Sequence, residues 1–67
     1  MISYAPFWKT IKAKGFSTYK LINDYEISNS TIQRLRENKG ITTTTIDDLC
    51  KILDCRVEDI VEYIKED

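Results

Sequence analysis

The chain has no histidine, only two cysteines, two glycines and one proline, and no apolar run approaching a membrane span. Each shortage removes a class of function. Without histidine the most frequent general base is missing, and the sequence shows no plausible nucleophile–base pairing. Two isolated glycines cannot build a Gly-rich phosphate loop. Asp47-Asp48 and Glu58-Asp59 fall where acids favour a helix start, so neither reads as a catalytic pair. Neither enzymatic activity nor a cofactor is expected. A membrane span needs ~20 consecutive apolar residues. The opening "MISYAPFWK" lacks a basic segment followed by an apolar one, so no secretory signal is expected and the expected compartment is the cytoplasm.

Cys50 and Cys55 form a C-x4-C pair, which cannot by itself complete a four-ligand zinc site. On a single helix, five positions is a rotation of about 140°, which disfavours a bond between them. Free cysteines behave as small apolar residues, so both are expected to be buried and structural, with no metal.

What remains is ordinary globular material. Sixty-seven residues, 42% of them apolar, suit one small domain, expected over residues 1–67. The net charge of −1 hides a division. Residues 1–39 carry seven cations against three acids, +4, whereas residues 40–67 carry three against eight, −5. Either the surface is randomly uneven, or one end is basic and works on an anion while the far side is acidic.

Apolar spacing predicts five short helices and no strand. Pro6 suits the first turn of a helix over about 6–14, with Trp8 and Ile11 as its apolar pair and Gly15 as its stop. Ser17 or Thr18 caps a second helix that carries Leu21, Ile22 and Tyr25 and runs to about 25. After Glu26, Ile27 and Ser28, a third follows at about 29–37, with Ile32 and Leu35 inward. The threonines at 42–45 favour a cap over a helix interior and lead into Ile46, Leu49, Cys50 and Leu53, a single helical stripe. Val57, Ile60, Val61 and Ile64 repeat that spacing and predict a fifth helix over about 57–66. Its stripe is expected to dock on the domain or to serve a dimer interface. Trp8, Phe7, Phe16 and Tyr19 suit core positions; Tyr4 and Tyr63 are undecided.

The third helix, "NSTIQRLRE", holds the residues with the most specific chemistry. With Ile32 and Leu35 inward, steps of 100° turn Ser30, Gln33, Arg34 and Glu37 outward, with Asn29 at the exposed first turn. Amides, a hydroxyl and a guanidinium are the groups that read base edges. Lys39 and the threonines beyond it are placed to meet phosphates. A polar outer face is also what any solvated helix shows. The tight turn before this helix favours the first reading, because in a helix-turn-helix the second helix enters the major groove with its N-terminal residues at the bases.

The stretch "KGFSTYKLINDYEISNSTIQRLRENKGITTTTIDDLCKILDC" resembles the phage repressor/Cro-type (XRE) helix-turn-helix family. The ordered series Phe16-Ser17, Leu21, Ile27-Ser28, Ser30-Thr31-Ile32, Arg34-Leu35, Thr45-Ile46, Leu49 and Leu53 carries the resemblance, which covers nearly the whole chain. It implies an all-α, five-helix, lambda-repressor-like DNA-binding domain that acts as a transcriptional regulator on a double-stranded operator, with a homodimer as one arrangement. By position it implies base reading by Asn29, Ser30, Gln33 and Arg34, and phosphate contacts at Thr18, Lys39 and Thr43, with Thr31 shared between packing and backbone contact. Arg36 is expected to pair with an acid or to meet phosphate.

The sequence departs from the family at informative places. Ile22 stands where a small residue is usual. Glu26 stands where Gly is usual in a turn of positive φ, and Asn38 and Asp54 replace the glycines that often close the next two helices. The frequent Arg–Glu bridge between the first and third helices is absent, since Lys12 and Arg36 hold those positions. The alternative function is a protein-interaction module of the same fold, an antitoxin or adaptor, binding a partner through the acidic half.

Overall fold

The computed structural model describes residues 1–66. It contains four α-helices, α1 (Ala5–Ala13), α2 (Thr18–Tyr25), α3 (Asn29–Glu37) and α4 (Thr43–Leu53). A 3-10 turn (Val57–Asp59) follows, and two short strands, β1 (Ile2–Ser3) and β2 (Glu62–Tyr63), pair antiparallel with Ile2 opposite Tyr63 and Ser3 opposite Glu62.

The helix starts follow from local chemistry. Ser17, Ser28 and Thr42 are extended N-caps whose hydroxyls accept from the N–H of Lys20, Thr31 and Thr45, so Ser17 rather than Thr18 caps α2. Pro6 occupies the first turn of α1, where its missing N–H costs nothing.

The helix ends are equally regular. All four close through a residue of positive φ: Gly15 at 74°, Glu26 at 60°, Asn38 at 55° and Asp54 at 50°. In three of them the N–H one residue further on returns to a carbonyl five back: Phe16 to Ile11, Lys39 to Arg34 and Cys55 to Cys50, at 2.8, 2.9 and 3.1 Å. α2 closes more widely, the Ile27 N–H reaching the Leu21 carbonyl at 3.1 Å. The expected left-handed turn at Glu26 is thus present.

Phe7 and Ile11 from α1, Leu21 from α2, Ile32 and Leu35 from α3, Leu49 and Leu53 from α4, and Tyr4 and Ile60 from the flanking segments form one core. Trp8 is only half-buried, so the inward face of α1 is the Phe7–Ile11 pair rather than the expected Trp8–Ile11 pair. Tyr19 is 75% exposed, which removes it from the core.

The fifth helix is not formed. Residues 57–66 make the 3-10 turn and β2, so the expectations of five helices and of no strand are both corrected. The aliphatic residues there are Val57, Ile60, Val61 and Ile64, every one β-branched, and branching favours extended backbone. The segment also lacks a hydroxyl cap. Only the Asp59 carboxylate closes its start, accepting from the Arg56 N–H at 3.1 Å. β1 supplies a strand to pair with, and the Ile64 N–H donates to the Met1 carbonyl at 2.7 Å. Ile60 is fully buried while Val57 is 55% exposed, so the four do not act as one stripe.

Candidate nucleic-acid interface

α2 and α3 are separated by Glu26, Ile27 and Ser28, and each of the three has a structural task. Glu26 reverses the chain in the left-handed conformation, Ile27 packs against the core, and Ser28 caps α3. Three hydrogen bonds converge on the Ser28 hydroxyl: the Thr31 N–H at 3.1 Å, the Thr31 hydroxyl at 2.8 Å and the Ser30 hydroxyl at 3.1 Å. The first turn of α3 is therefore fixed before any ligand arrives.

Ile32 and Leu35 are buried, and Asn29, Ser30, Gln33, Arg34 and Glu37 are all exposed. The helical wheel therefore placed the outer face correctly. Thr31 is half-buried and its hydroxyl is tied to the cap. Among the described residues no salt bridge engages Arg34.

Among the described residues Arg36 forms no salt bridge. Its guanidinium carbon lies 5.9 Å from the centroid of the Trp8 ring on α1. The Arg–Glu bridge absent from the sequence is thus replaced by a cation over an aromatic face. Trp8 is held in turn by Phe7, edge to face at 4.9 Å. Arg36 remains exposed.

Sequence reasoning left two features of this region unread. The first is Tyr4, which is buried. Its N–H donates to Asn38 Oδ1 at 3.0 Å and its hydroxyl donates to the Lys39 carbonyl at 2.7 Å. The entry of α1 is thereby fastened to the exit of α3, and Asn38 serves both as left-handed residue and as acceptor for an otherwise unpaired helix-start donor. The second is Glu37. Its Oε2 accepts from Gln33 Nε2 at 3.1 Å, and its Oε1 lies 3.3 Å from Lys39 Nζ. The hydrogen bond from Gln33, and then Lys39, hold its carboxyl below the usual carboxylate range. The i, i+4 spacing of Gln33 and Glu37 was the available signal.

Thr18 is half-buried in the first turn of α2, and Thr43 is exposed in the first turn of α4. With Lys39 exposed just past α3, the three expected phosphate-contact positions lie at helix ends.

The cysteines lie elsewhere. Cys55 stands beyond the end of α4, where the turn at Asp54 brings it back beside Cys50, so the 140° separation on one helix does not apply. Both are half-buried against the core rather than fully buried. Burial, and next the neighbouring Cys50, push the Cys55 thiol up to about 11. Among the described residues no three potential metal ligands come together. A groove of about 580 Å³ runs beside them, lined by Thr43, Ile46, Val57 and Glu58 among others. It is not on the outer face of α3, and none is needed there, because duplex DNA is read by a protruding element rather than by a cavity.

The sequence matches the Cro/C1-type HTH DNA-binding domain family over residues 7–66. The chain belongs to that family. Its backbone is similar to the crystal structure of the transcriptional regulator VanUg, Form II, with a TM-score of 0.86 and 28% identity over 97% of this chain and 87% of that one. No curated protein matches the sequence. Among the described residues no helix is long and apolar enough to cross a membrane.

Proposed function

We propose that the protein is a sequence-specific DNA-binding transcriptional regulator that lays α3 in the major groove of an operator. The observation that carries this reading is α3 itself. Asn29, Ser30, Gln33 and Arg34 stand exposed opposite buried Ile32 and Leu35, directly after a fixed three-residue turn, in a chain of a DNA-binding family. Asn29 and Gln33 offer paired donor and acceptor groups suited to adenine, Arg34 a fork suited to guanine O6 and N7, and Ser30 a hydroxyl that can turn either way. Thr18, Thr31, Lys39 and Thr43 hold the phosphates on either side. Arg36, kept in place by Trp8, adds charge toward the same backbone. A homodimer would place two copies of α3 on the half-sites of a two-fold operator.

Selection of bound sequences from a random DNA pool tests this, followed by affinity measurements at several salt concentrations. A recurring motif is expected, with affinity falling as salt rises. A palindromic motif supports the dimer. If no sequence is enriched and bulk DNA is not bound at low salt, the reading fails, and the acidic half becomes the surface to test against partner proteins.

A further inference from the structure

We propose that Glu37 is a positioning residue that orients the Gln33 amide and thereby sets adenine as the base read beneath it. This rests on the reading of α3 as the recognition helix. Glu37 Oε2 lies 3.1 Å from Gln33 Nε2. An ionised carboxylate has only acceptors, so the group facing it must be the amide NH2 rather than the amide oxygen. The other carboxylate oxygen lies 3.3 Å from Lys39 Nζ, which helps to keep Glu37 ionised and in place.

The orientation decides what Gln33 presents. With one N–H held by Glu37, the outer edge of the amide offers its second N–H and its oxygen, side by side. Adenine presents a matching acceptor and donor in the major groove, N7 and the N6 amino group. Guanine presents two acceptors, N7 and O6, so the fixed amide oxygen would face O6 with no proton between them. A glutamine free to turn has no such constraint and can offer NH2 to either purine. Glu37 is itself an acceptor on the outer face, which adds to the penalty against guanine. Gln33 and Glu37 are both exposed, and the hydrogen bonds within this cluster are side chain to side chain, so substitution leaves the core untouched.

The test uses the full chain and an operator selected from a random pool by the wild-type protein. Gln33→Ala first locates the base pair read by Gln33, as the step where base preference is lost. Binding is then measured to operators carrying adenine or guanine at that step, for wild type, Glu37→Ala and Glu37→Gln. Wild type is expected to prefer adenine by ~5-fold or more, the lower end of what a bidentate contact discriminates. Glu37→Ala is expected to bring that ratio to within about twofold of unity. Glu37→Gln, whose amide can accept from Gln33 but can also turn, is expected to fall between them. Preference at the step lost on Arg34→Ala should not change in either Glu37 variant, a selectivity that general loosening of α3 would not produce. Full adenine preference in Glu37→Ala overturns the proposal, and so does a Gln33→Ala variant with unaltered base preference. In both of those cases operator binding by wild type still stands. Failure of wild type to bind DNA at all overturns the broader reading instead, and is seen in the first measurement.

Discussion

α3 places Ile32 and Leu35 three residues apart, and the chain after Arg56 places Val57, Ile60, Val61 and Ile64 at three- and four-residue spacing, yet one is a helix and the other a 3-10 turn running into a strand. α3 begins with a serine whose hydroxyl satisfies the Thr31 N–H, and its outer positions are filled by unbranched Gln, Arg and Glu. The later segment has no hydroxyl cap and is rich in branched side chains, and a partner strand lies at hand. Periodicity shows which side chains seek the core. The cap, the branching and the neighbouring strand decide by what backbone they reach it.

The largest expected effect tests that distinction. Ile60 is fully buried and Val57 is more than half exposed. Ile60→Ala should cost ~2–5 kcal/mol, from lost transfer energy plus the cavity left behind. Val57→Ala should lie within ~0.5 kcal/mol of wild type, as surface substitutions do. Denaturant unfolding of the two variants measures both. Similar losses would mean that the two residues share one buried helical stripe after all.

The other side of the comparison is α3, whose outer face and exit are expected to treat DNA differently. Arg34 lies on the helix and can make a bidentate base contact, whereas Lys39 lies past its end and acts as a point charge. Arg34→Ala should cost ~1–3 kcal/mol at the operator and relax preference at one base pair, with a smaller effect on bulk DNA. Lys39→Ala should weaken operator and bulk DNA by similar factors and reduce the salt slope by about one. Circular dichroism must first show both variants folded. An Arg34→Ala variant with unchanged affinity and base preference would leave the polar face of α3 as merely solvated.

These contrasts also show which features were legible in advance. A hydroxyl cap among the threonines at 42–45, the turn at Glu26 and the outward set on α3 could be read from the sequence, because each depends on residues within one or two turns. Family membership was legible for the same reason, being an ordered series of such local features. Contacts between distant segments were not. Nothing in the sequence pairs Tyr4 with Asn38 and Lys39, or sets Arg36 over Trp8, since those depend on how α1 packs beside α3. β2 was unreadable on similar grounds: it exists because β1, some sixty residues away, lies beside it. The return of Cys55 to the side of Cys50 was likewise not read, since it depends on the turn made at left-handed Asp54.

That turn gives the next prediction. Cys50 and Cys55 pack beside each other across the end of α4, away from the outer face of α3. Replacing both by Ala should cost ~1–2 kcal/mol, since each is only half-buried, and should leave DNA affinity near wild type. Their pH behaviour follows from the raised Cys55 thiol. The folded state keeps its proton up to about 11, while the unfolded thiol ionises near its ordinary value of 9.0. The associated stability is therefore complete below pH 9 and is lost as pH climbs toward 11. Alkylation of Cys55 in the folded protein should rise only over that alkaline range. Rapid alkylation at neutral pH would mean that the thiol is less shielded than its position implies.

The smallest effects come from two left-handed residues that look alike by backbone and differ by side chain. Glu26 has φ of 60° and its side chain takes part in no hydrogen bond among the described residues, whereas Asn38 has φ of 55° and accepts the Tyr4 N–H. Glu26→Gly should relieve ~1 kcal/mol of backbone strain, less the entropy that glycine adds to the unfolded chain, leaving a net gain of a few tenths. Asn38→Gly removes a similar but smaller strain, since asparagine tolerates this conformation, and leaves the Tyr4 N–H without its acceptor. A net loss of ~0.5–1.5 kcal/mol is expected there. Thermal unfolding should thus move in opposite directions for the same substitution at two helix ends. If Glu26→Gly lowers the melting temperature, its side chain contributes something that the turn geometry does not reveal. If Asn38→Gly raises it, the Tyr4 contact adds less than the backbone strain it accompanies, and the exit of α3 is held by the Tyr4 hydroxyl on the Lys39 carbonyl alone.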